Sequence, residues 1–503
     1  MSPKTSKHVI LKDAFIYSIA NYISDSLGIV ISILSKRFLG VVGAGYWTIL
    51  SVIQSYGLYG TLGAKNAVYR EIPQAVGAKQ YERAKELQDA AFSYMLLSGF
   101  AGAAVIWILS MSLFKDPALR WGTRVIALLV LVTQLYNLVL TLLRARKQFE
   151  VLGRLIVFNT LFILVLALAG AYFWNVIGYA AGLALATAFS FVVGTRWGGF
   201  KFSVSFNWTE IRQLILIGFP MVLASFLLRT FLNMDSIMIG KMLGAKSLGF
   251  YTVGLMAVQQ LAAFPRFFNV ALFPHVQERF GETRKAANLK SMIMKPTDIF
   301  SRVMPILLGA SIFAMEPLVH YALPRFEAGL DAMKILVFGY YFVILSETSS
   351  TLLFTIDKQN LLVVIYGTLV GVCAGLNYWM ISWGYGIVGA ALATAFSYLI
   401  FFLTVSSVAG RHLMAWEELL KFYLTVAGFY LYFLANVAWI NAFVHGPNVI
   451  LTALLKLLCL GGVSVPVLIS VERREKLLAT AWEMLKEKFS TGAVLQPEIE
   501  KAD

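Results

Sequence analysis

"GLALATAFS" at residues 182–190 and "GAALATAFS" at 389–397 differ at one position of nine, and the shared core LATAFS is displaced by 207 residues. Apolar helices draw on few letters, so six matching residues alone prove little. Two further landmarks recur in the same order. "LGVVGAGYWTI" (39–49) aligns without gaps on "LGAKSLGFYTV" (243–253), placing Gly40 over Gly244, Gly45 over Gly249 and Thr48 over Thr252 at an offset of 204. Lys147-Gln148 recurs as Lys358-Gln359 at an offset of 211. Three landmarks with nearly one displacement predict a chain built from two copies of one unit.

What each copy contains follows from composition. The chain has 503 residues, 59% of them hydrophobic and only 14% charged, and a mean hydropathy of +0.73. Soluble domains carry about 25% charged residues. The apolar residues come in runs long enough to cross a bilayer. Fourteen such spans are expected near 10–35, 42–63, 89–113, 121–143, 153–173, 176–196, 212–235, 247–271, 298–319, 332–355, 360–382, 386–408, 417–440 and 448–470. LATAFS then falls in spans 6 and 12. The expected fold is an all-α integral membrane protein of about 14 transmembrane helices, with two parallel six-helix repeats around a central cavity and two C-terminal helices. The units are 1–205, 206–410 and 411–471, followed by a cytoplasmic amphipathic or disordered tail, 472–503. Six spans per copy insert both copies in one orientation, a plan that recurs in transporters with the substrate between the halves.

The net charge of +15 has a topological explanation. With both termini cytoplasmic, roughly three quarters of the 42 Lys and Arg lie on the cytoplasmic side, as the positive-inside rule requires. The charge therefore calls for membrane lipids as partners and for no nucleic acid. Basic amphipathic stretches at 64–87 and 274–296 read as interfacial helices linking spans 2 to 3 and 8 to 9. The first apolar run is too long for a signal peptide, carries Asn21 and Asp25, and is read as a retained helix. Cys373 and Cys459 both sit in apolar runs, the five histidines lack ligand spacing, and no nucleotide-binding or hydrolase motif occurs. An enzyme, a cofactor or a bound metal has nothing to stand on.

"GFPMVLASFLLRTFLNMDSIMIGKMLGAKSLGFYTVGL" (218–255) resembles the seventh and eighth spans of polysaccharide flippases of the multidrug/oligosaccharidyl-lipid/polysaccharide (MOP) superfamily, through Pro220, Asp235, Gly244 and Gly249-Phe250-Tyr251. "KRFLGVVGAGYW" and "GAKNAVYREIP" look like the first-half counterparts, and "YGIVGAALATAFS" (385–397) resembles the twelfth-span motif. The resemblance covers nearly the whole chain. It implies transport of a lipid-linked oligosaccharide, carried on a polyprenyl pyrophosphate, from the cytoplasmic to the outer leaflet of a bacterial inner membrane for envelope polysaccharide synthesis. A polysaccharide polymerase and export proteins would be its partners.

A flippase needs a hydrated cavity whose walls suit a negatively charged linker, and polar residues inside spans, being costly, mark where to look. Ser18, Asn21, Asp25, Gly28 and Ser32 share one face of span 1, and Ser225, Arg229, Asn233 and Ser236 one face of span 7. At the 204 offset Asp25 lies over Arg229. The two are expected to face each other across the cavity, either exchanging partners with the anionic linker or forming a static pair between the halves. Asp235 reads equally as a family site residue or an interfacial one. Glu347, in "SETSST", joins Asp25 as a candidate for carrying a coupling proton or sodium ion. Arg266 reads as a cavity residue or a snorkelling anchor. Lys36 and Arg37 read as outer-rim anchors, and Tyr17, Tyr22, Tyr56 and Tyr251 as packing residues that could instead stack on sugars.

Two related transporters compete with this reading. A cation-coupled drug antiporter of the MATE branch usually has twelve spans, whereas two further runs follow the second repeat here. Lipid II flippases look more densely cationic in the first span, which here carries Asp25 and no Arg at mid-membrane. A non-transporting scaffold would leave the polar stripes of spans 1 and 7 unexplained.

Overall fold

The computed structural model describes residues 3–77, 80–262 and 285–475, with isolated positions between 276 and 282. The tail beyond 475 and Arg266 therefore fall outside the described residues, and the expected interfacial helix at 274–296 is described continuously only from 285, as a 3-10 turn (Ala286–Leu289) and the start of a long helix at Lys290.

The described chain is built of helices: α1 (Pro3–Gly57), α2 (Ala64–Gly77), α3 (Tyr81–Leu113), α4 (Pro117–Ala145), α5 (Phe149–Phe162), α6 (Leu168–Trp197), α7 (Trp208–Leu232), α8 (Met234–Met242), α9 (Gly244–Leu261), α10 (Lys290–Ala322), α11 (Leu330–Thr355), α12 (Gln359–Ser382), α13 (Gly386–Gly410), α14 (Trp416–Phe443) and α15 (Val449–Glu475). Ten helices are long and apolar enough to cross a membrane among the described residues, or eleven if Val222–Leu232 and Met234–Met242, bent by 48°, make one span. The protein is a multi-pass membrane protein. Four spans separate this count from the expected fourteen: two pairs of expected spans run on as single helices, the seventh is the bent pair, and the eighth is described only as far as residue 262. Ile19–Thr61 and Phe149–Trp197 hold 43 and 49 residues, which at 1.5 Å per residue reach about 65 and 74 Å, twice a bilayer core. Each is broken between the expected spans. Gly40 interrupts α1 at φ 68°, a left-handed conformation that glycine adopts without steric cost. Trp174 and Asn175 interrupt α6, with Asn175 at φ 52°, and the Asn175 side chain accepts from the Val176 N–H at 2.8 Å. The α5–α6 junction is a π-turn over Ile163–Ala167.

Local chemistry sets the other ends. Asp116 caps α4 by accepting from the N–H groups of Ala118 and Leu119 at 2.8 and 3.3 Å, with Pro117 in the first turn, where its missing N–H costs nothing. Tyr46 donates to the same carboxylate at 2.6 Å, and this hydrogen bond holds the Asp116 carboxyl below its ordinary value. The apolar face of α2 (Ala64, Ala67, Val68, Ile72) is fully buried in a core shared with α3, α4, α5 and α7. The 64–87 stretch is thus a packed connector, and it splits into α2 and the start of α3.

Buried apolar residues gather into four clusters. Two are made from residues 31–214 alone. The other two are made from residues 231–467, joined only by Ala44.

The LATAFS copies sit alike in their helices. Ala186, Thr187 and Ser190 are buried on α6, and Ala393, Thr394 and Ser397 on α13. Leu185 and Phe189, like Leu392 and Phe396, point outward. Each copy therefore gives small residues to helix packing and large apolar ones to lipid, as close approach in a membrane demands. Gly244 at φ 81° repeats the Gly40 break. The Lys-Gln landmark is offset by one. Lys147 and Asp357 carry the same positive φ of 57°, and Gln148 N–H and Lys358 N–H close the same turn onto Leu143 and Leu353, so the turns superpose at 210 rather than 211.

Candidate functional site

The two parts of α1 cross α7, α8 and α9 around a cavity of about 480 Å³. Its walls follow the 204 offset: Ser32 and Ser236, Thr48 and Thr252, Ser51 and Leu255, Val52 and Met256, Ser55 and Gln259 all line it. The first half gives the larger share of the wall. Lys36 and Arg229 supply two cations, Gln54, Asn233 and Gln259 supply amides, and no carboxylate lies in the lining among the described residues. Lys36 donates to Ser32 Oγ at 2.9 Å. The Nδ2 of Asn233 is buried without a hydrogen-bond partner, leaving a donor that a ligand or water in the cavity would satisfy.

Close backbone packing bounds the cavity at both ends. Toward the Gly40 and Gly244 breaks, a Cβ on Gly45 would fall on the carbonyl of Ala245, and one on Gly249 on the carbonyl of Val41. Val41 and Ala245 are themselves related by the 204 offset, so the two contacts are one contact made twice. Toward α2 and the 198–207 linker, Gly63 and Gly218 pack backbone to backbone. Nearby, Tyr59 donates to the Ser225 carbonyl at 3.1 Å and Tyr56 to Thr230 at 3.2 Å. Arg83 pairs with Glu210 at this same end.

Of the residues singled out by sequence, the structure brings Arg229, Asn233, Gly28, Ser32 and Ser236 together in the cavity wall. Asn21 and Asp25 are outside that wall. Asn21 donates to the Tyr17 carbonyl at 2.7 Å, Asp25 is exposed, and no Asp25–Arg229 ion pair occurs among the described residues. This part of α1 packs on α5 instead, with the Ser24 and Thr160 hydroxyls 2.6 Å apart. Ser225 reaches the seam through its carbonyl. Glu347 is half-buried on α11, outside the cavity wall. Tyr56 is a seam residue, Tyr22 is exposed, and Tyr17 sits beside Arg144.

Two readings change. Lys36, read as a rim anchor, lines the cavity; its neighbour Arg37 is exposed. The signal was present, since Lys36 lies four residues beyond Ser32 on the same helical stripe. Asp235 is buried at 1% exposure, far from an interfacial setting. It accepts from Tyr251 Oη at 2.7 Å, from the Ser236 N–H at 2.6 Å and from Ser236 Oγ at 3.2 Å. Ser236 also lines the cavity, so this carboxylate stands one hydrogen bond from it. In the same lobe Asn377 donates to Thr394 Oγ1 of the second LATAFS at 3.4 Å, and its Oδ1 is buried without a partner. No group of three or more His, Cys, Asp or Glu that could hold a metal occurs among the described residues.

The sequence model of the family described as polysaccharide biosynthesis protein matches residues 71–325, just over half of the chain. No curated protein matches the sequence. Among solved structures, the lipid II flippase MurJ in an inward closed conformation is similar at 12% identity, with 92% of this chain and 99% of that chain covered and a TM-score of 0.68. An inward-facing multidrug resistance MATE transporter of the MOP superfamily is similar at 16% identity, covering 79% and 94%, with a TM-score of 0.61. A MOP superfamily transporter from Pyrococcus furiosus is similar at 14% identity, covering 79% and 96%, with a TM-score of 0.57.

Proposed function

We propose that this chain, which belongs to the polysaccharide biosynthesis protein family, a polysaccharide flippase family of the MOP superfamily, moves a polyprenyl-pyrophosphate-linked oligosaccharide from the cytoplasmic to the outer leaflet for cell-envelope polysaccharide synthesis. The observation that carries the reading is the cavity wall: two cations, amides and hydroxyls, and no carboxylate among the described residues. A pyrophosphate needs cationic donors at low dielectric, and sugar hydroxyls need a dense field of hydrogen-bonding side chains. A pocket for cationic drugs would call for the opposite sign of charge.

In this reading residues 1–205 and 206–410 are two lobes that rock about the cavity. The reciprocal Gly45–Ala245 and Gly249–Val41 contacts and the division of the buried clusters near residue 215–231 support that assignment. Residues 411–471 add two helices and 472–503 a tail. The basic end, with α2 and the linker, faces the cytoplasm of a bacterial inner membrane, in keeping with the charge distribution. Arg229 and Lys36 hold the linker, and because Asp25 stands apart, Arg229 is available without displacing an acid. A proton or sodium ion exchanging at Asp235 reports to the cavity through Ser236. The larger share of this chain covered by MurJ than by the MATE transporter supports a flippase plan over a drug antiporter.

The test is leaflet transfer in vesicles reconstituted with the full chain and one of three probes: a labelled polyprenyl-pyrophosphate oligosaccharide, lipid II, or ethidium. Transfer of the first alone supports the reading. Selective transfer of lipid II or ethidium overturns it in favour of that substrate.

A further inference from the structure

A second cavity, of about 400 Å³, opens between α10, α11, α13 and α14. Its walls are apolar, with Phe313, Phe338, Leu392, Leu434 and Ala438 among them, and two polar side chains, Lys334 and Asn441, lie in them near helix ends. Leu392 and Ala438 are exposed, so the cleft faces the membrane. From Tyr430 to Asn441, both in its lining, α14 rises about 16 Å at 1.5 Å per residue, close to the depth of one leaflet of a 30 Å core.

The polar end has an unbalanced charge. Glu316 on α10 accepts from Lys334 at 2.9 Å through one carboxylate oxygen and from Lys456 on α15 at 3.0 Å through the other. Lys456 is 6% exposed and donates again to Asn441 Oδ1 at 2.6 Å. Two lysines thus share one carboxylate, and Asp331, one turn before Lys334, forms no ion pair among the described residues. Lysines inside membrane helices are expensive and are retained where a partner neutralises them. The protein supplies one acid for two cations here, and Lys334 remains accessible from the cleft.

We propose that this cleft binds an anionic glycerophospholipid, with one acyl chain along Phe338, Leu392 and Leu434 and the phosphate against Lys334 and Asn441. The site is separate from the transport cavity and its ligand is a lipid that stays in place. The hydrocarbon satisfies the apolar wall, and the phosphate supplies the missing negative charge beside the Lys334–Glu316–Lys456 cluster.

The experiment is native mass spectrometry of the full chain with phosphatidylglycerol, phosphatidylcholine or undecaprenyl phosphate added at equal concentration. Wild type should retain phosphatidylglycerol about fivefold over phosphatidylcholine, the order set by one unbalanced lysine near a lipid phosphate. Lys334→Ala and Ala438→Trp should each abolish that preference. Leu161→Trp, on a lipid-facing position of α5, should preserve it. Ala438→Trp alters an exposed position and keeps the test readable should Lys334→Ala fail to fold. Equal retention of the two phospholipids by wild type, or an undiminished preference in Ala438→Trp, overturns the proposal. Displacement of phosphatidylglycerol by equimolar undecaprenyl phosphate overturns it in favour of a carrier-lipid tail.

Discussion

Gly249 packs its Cα onto the carbonyl of Val41, and 204 residues earlier Gly45 packs onto Ala245 in the same way. Each contact joins the two halves of the chain, and each leaves no room for a side chain. Gly45→Val and Gly249→Val should therefore have similar effects, each lowering stability by about 1–3 kcal/mol through overpacking. Gly28→Ala, which meets open space, should change stability by less than about 0.5 kcal/mol. Thermal melts of the purified variants in one detergent compare all three. A neutral Gly249→Val would mean the seam is not as close as described.

The Glu316 cluster predicts an asymmetry. Glu316→Leu strands two lysines in the membrane and should cost about 3–5 kcal/mol, the scale of breaking a buried pair. Lys456→Met leaves Glu316 its 2.9 Å partner Lys334 and should cost clearly less. Chemical unfolding of both variants gives the order, and a reversed order would show that Lys334 does not neutralise Glu316.

Asp235 should govern coupling rather than substrate binding. Asp235→Asn keeps the size of the side chain and the acceptor for Tyr251, so the protein should fold and still bind the lipid-linked substrate. Leaflet transfer should lose its dependence on an imposed proton or sodium gradient. Driven transfer at the wild-type rate would remove Asp235 from the coupling path.

Asp116 offers a prediction in pH. Its hydrogen bond from Tyr46 lowers the carboxyl pKa on folding, so the stabilisation is full above the unfolded value, near 4. It fades as pH falls through the folded value. The gap in melting temperature between wild type and Asp116→Asn should be constant at pH 6–7 and close on acidification below about 4. A gap that widens in acid would contradict the assignment.

Much of the fold was legible because membrane helices announce themselves by composition, and because Gly40 and Gly244 mark the same backbone break twice. The Lys-Gln pair misled by one residue, since surface letters at a turn are free to drift while the turn stays fixed by Leu143 and Leu353. In the cavity, Arg229 and Asn233 could be read from a polar stripe on one helix. Lys36 lay on the matching stripe but resembled an anchor by its position near a span end. Asp25 was placed opposite Arg229 by symmetry. That turn of α1 packs on α5, where Ser24 meets Thr160, a contact with no signature in the local sequence.

The central claim is that Lys36 and Arg229 hold an anionic, lipid-linked glycan in the cavity. Neither residue takes part in an ion pair among the described residues, so Lys36→Ala and Arg229→Ala should fold as wild type does. The measurement is the initial rate at which vesicles carrying each variant transfer the labelled polyprenyl-pyrophosphate oligosaccharide between leaflets. A charge-assisted hydrogen bond is worth about 1.5–3 kcal/mol, so each variant should slow transfer by roughly 10- to 150-fold, while Asp25→Asn should transfer near the wild-type rate. Wild-type rates in both alanine variants would contradict the account.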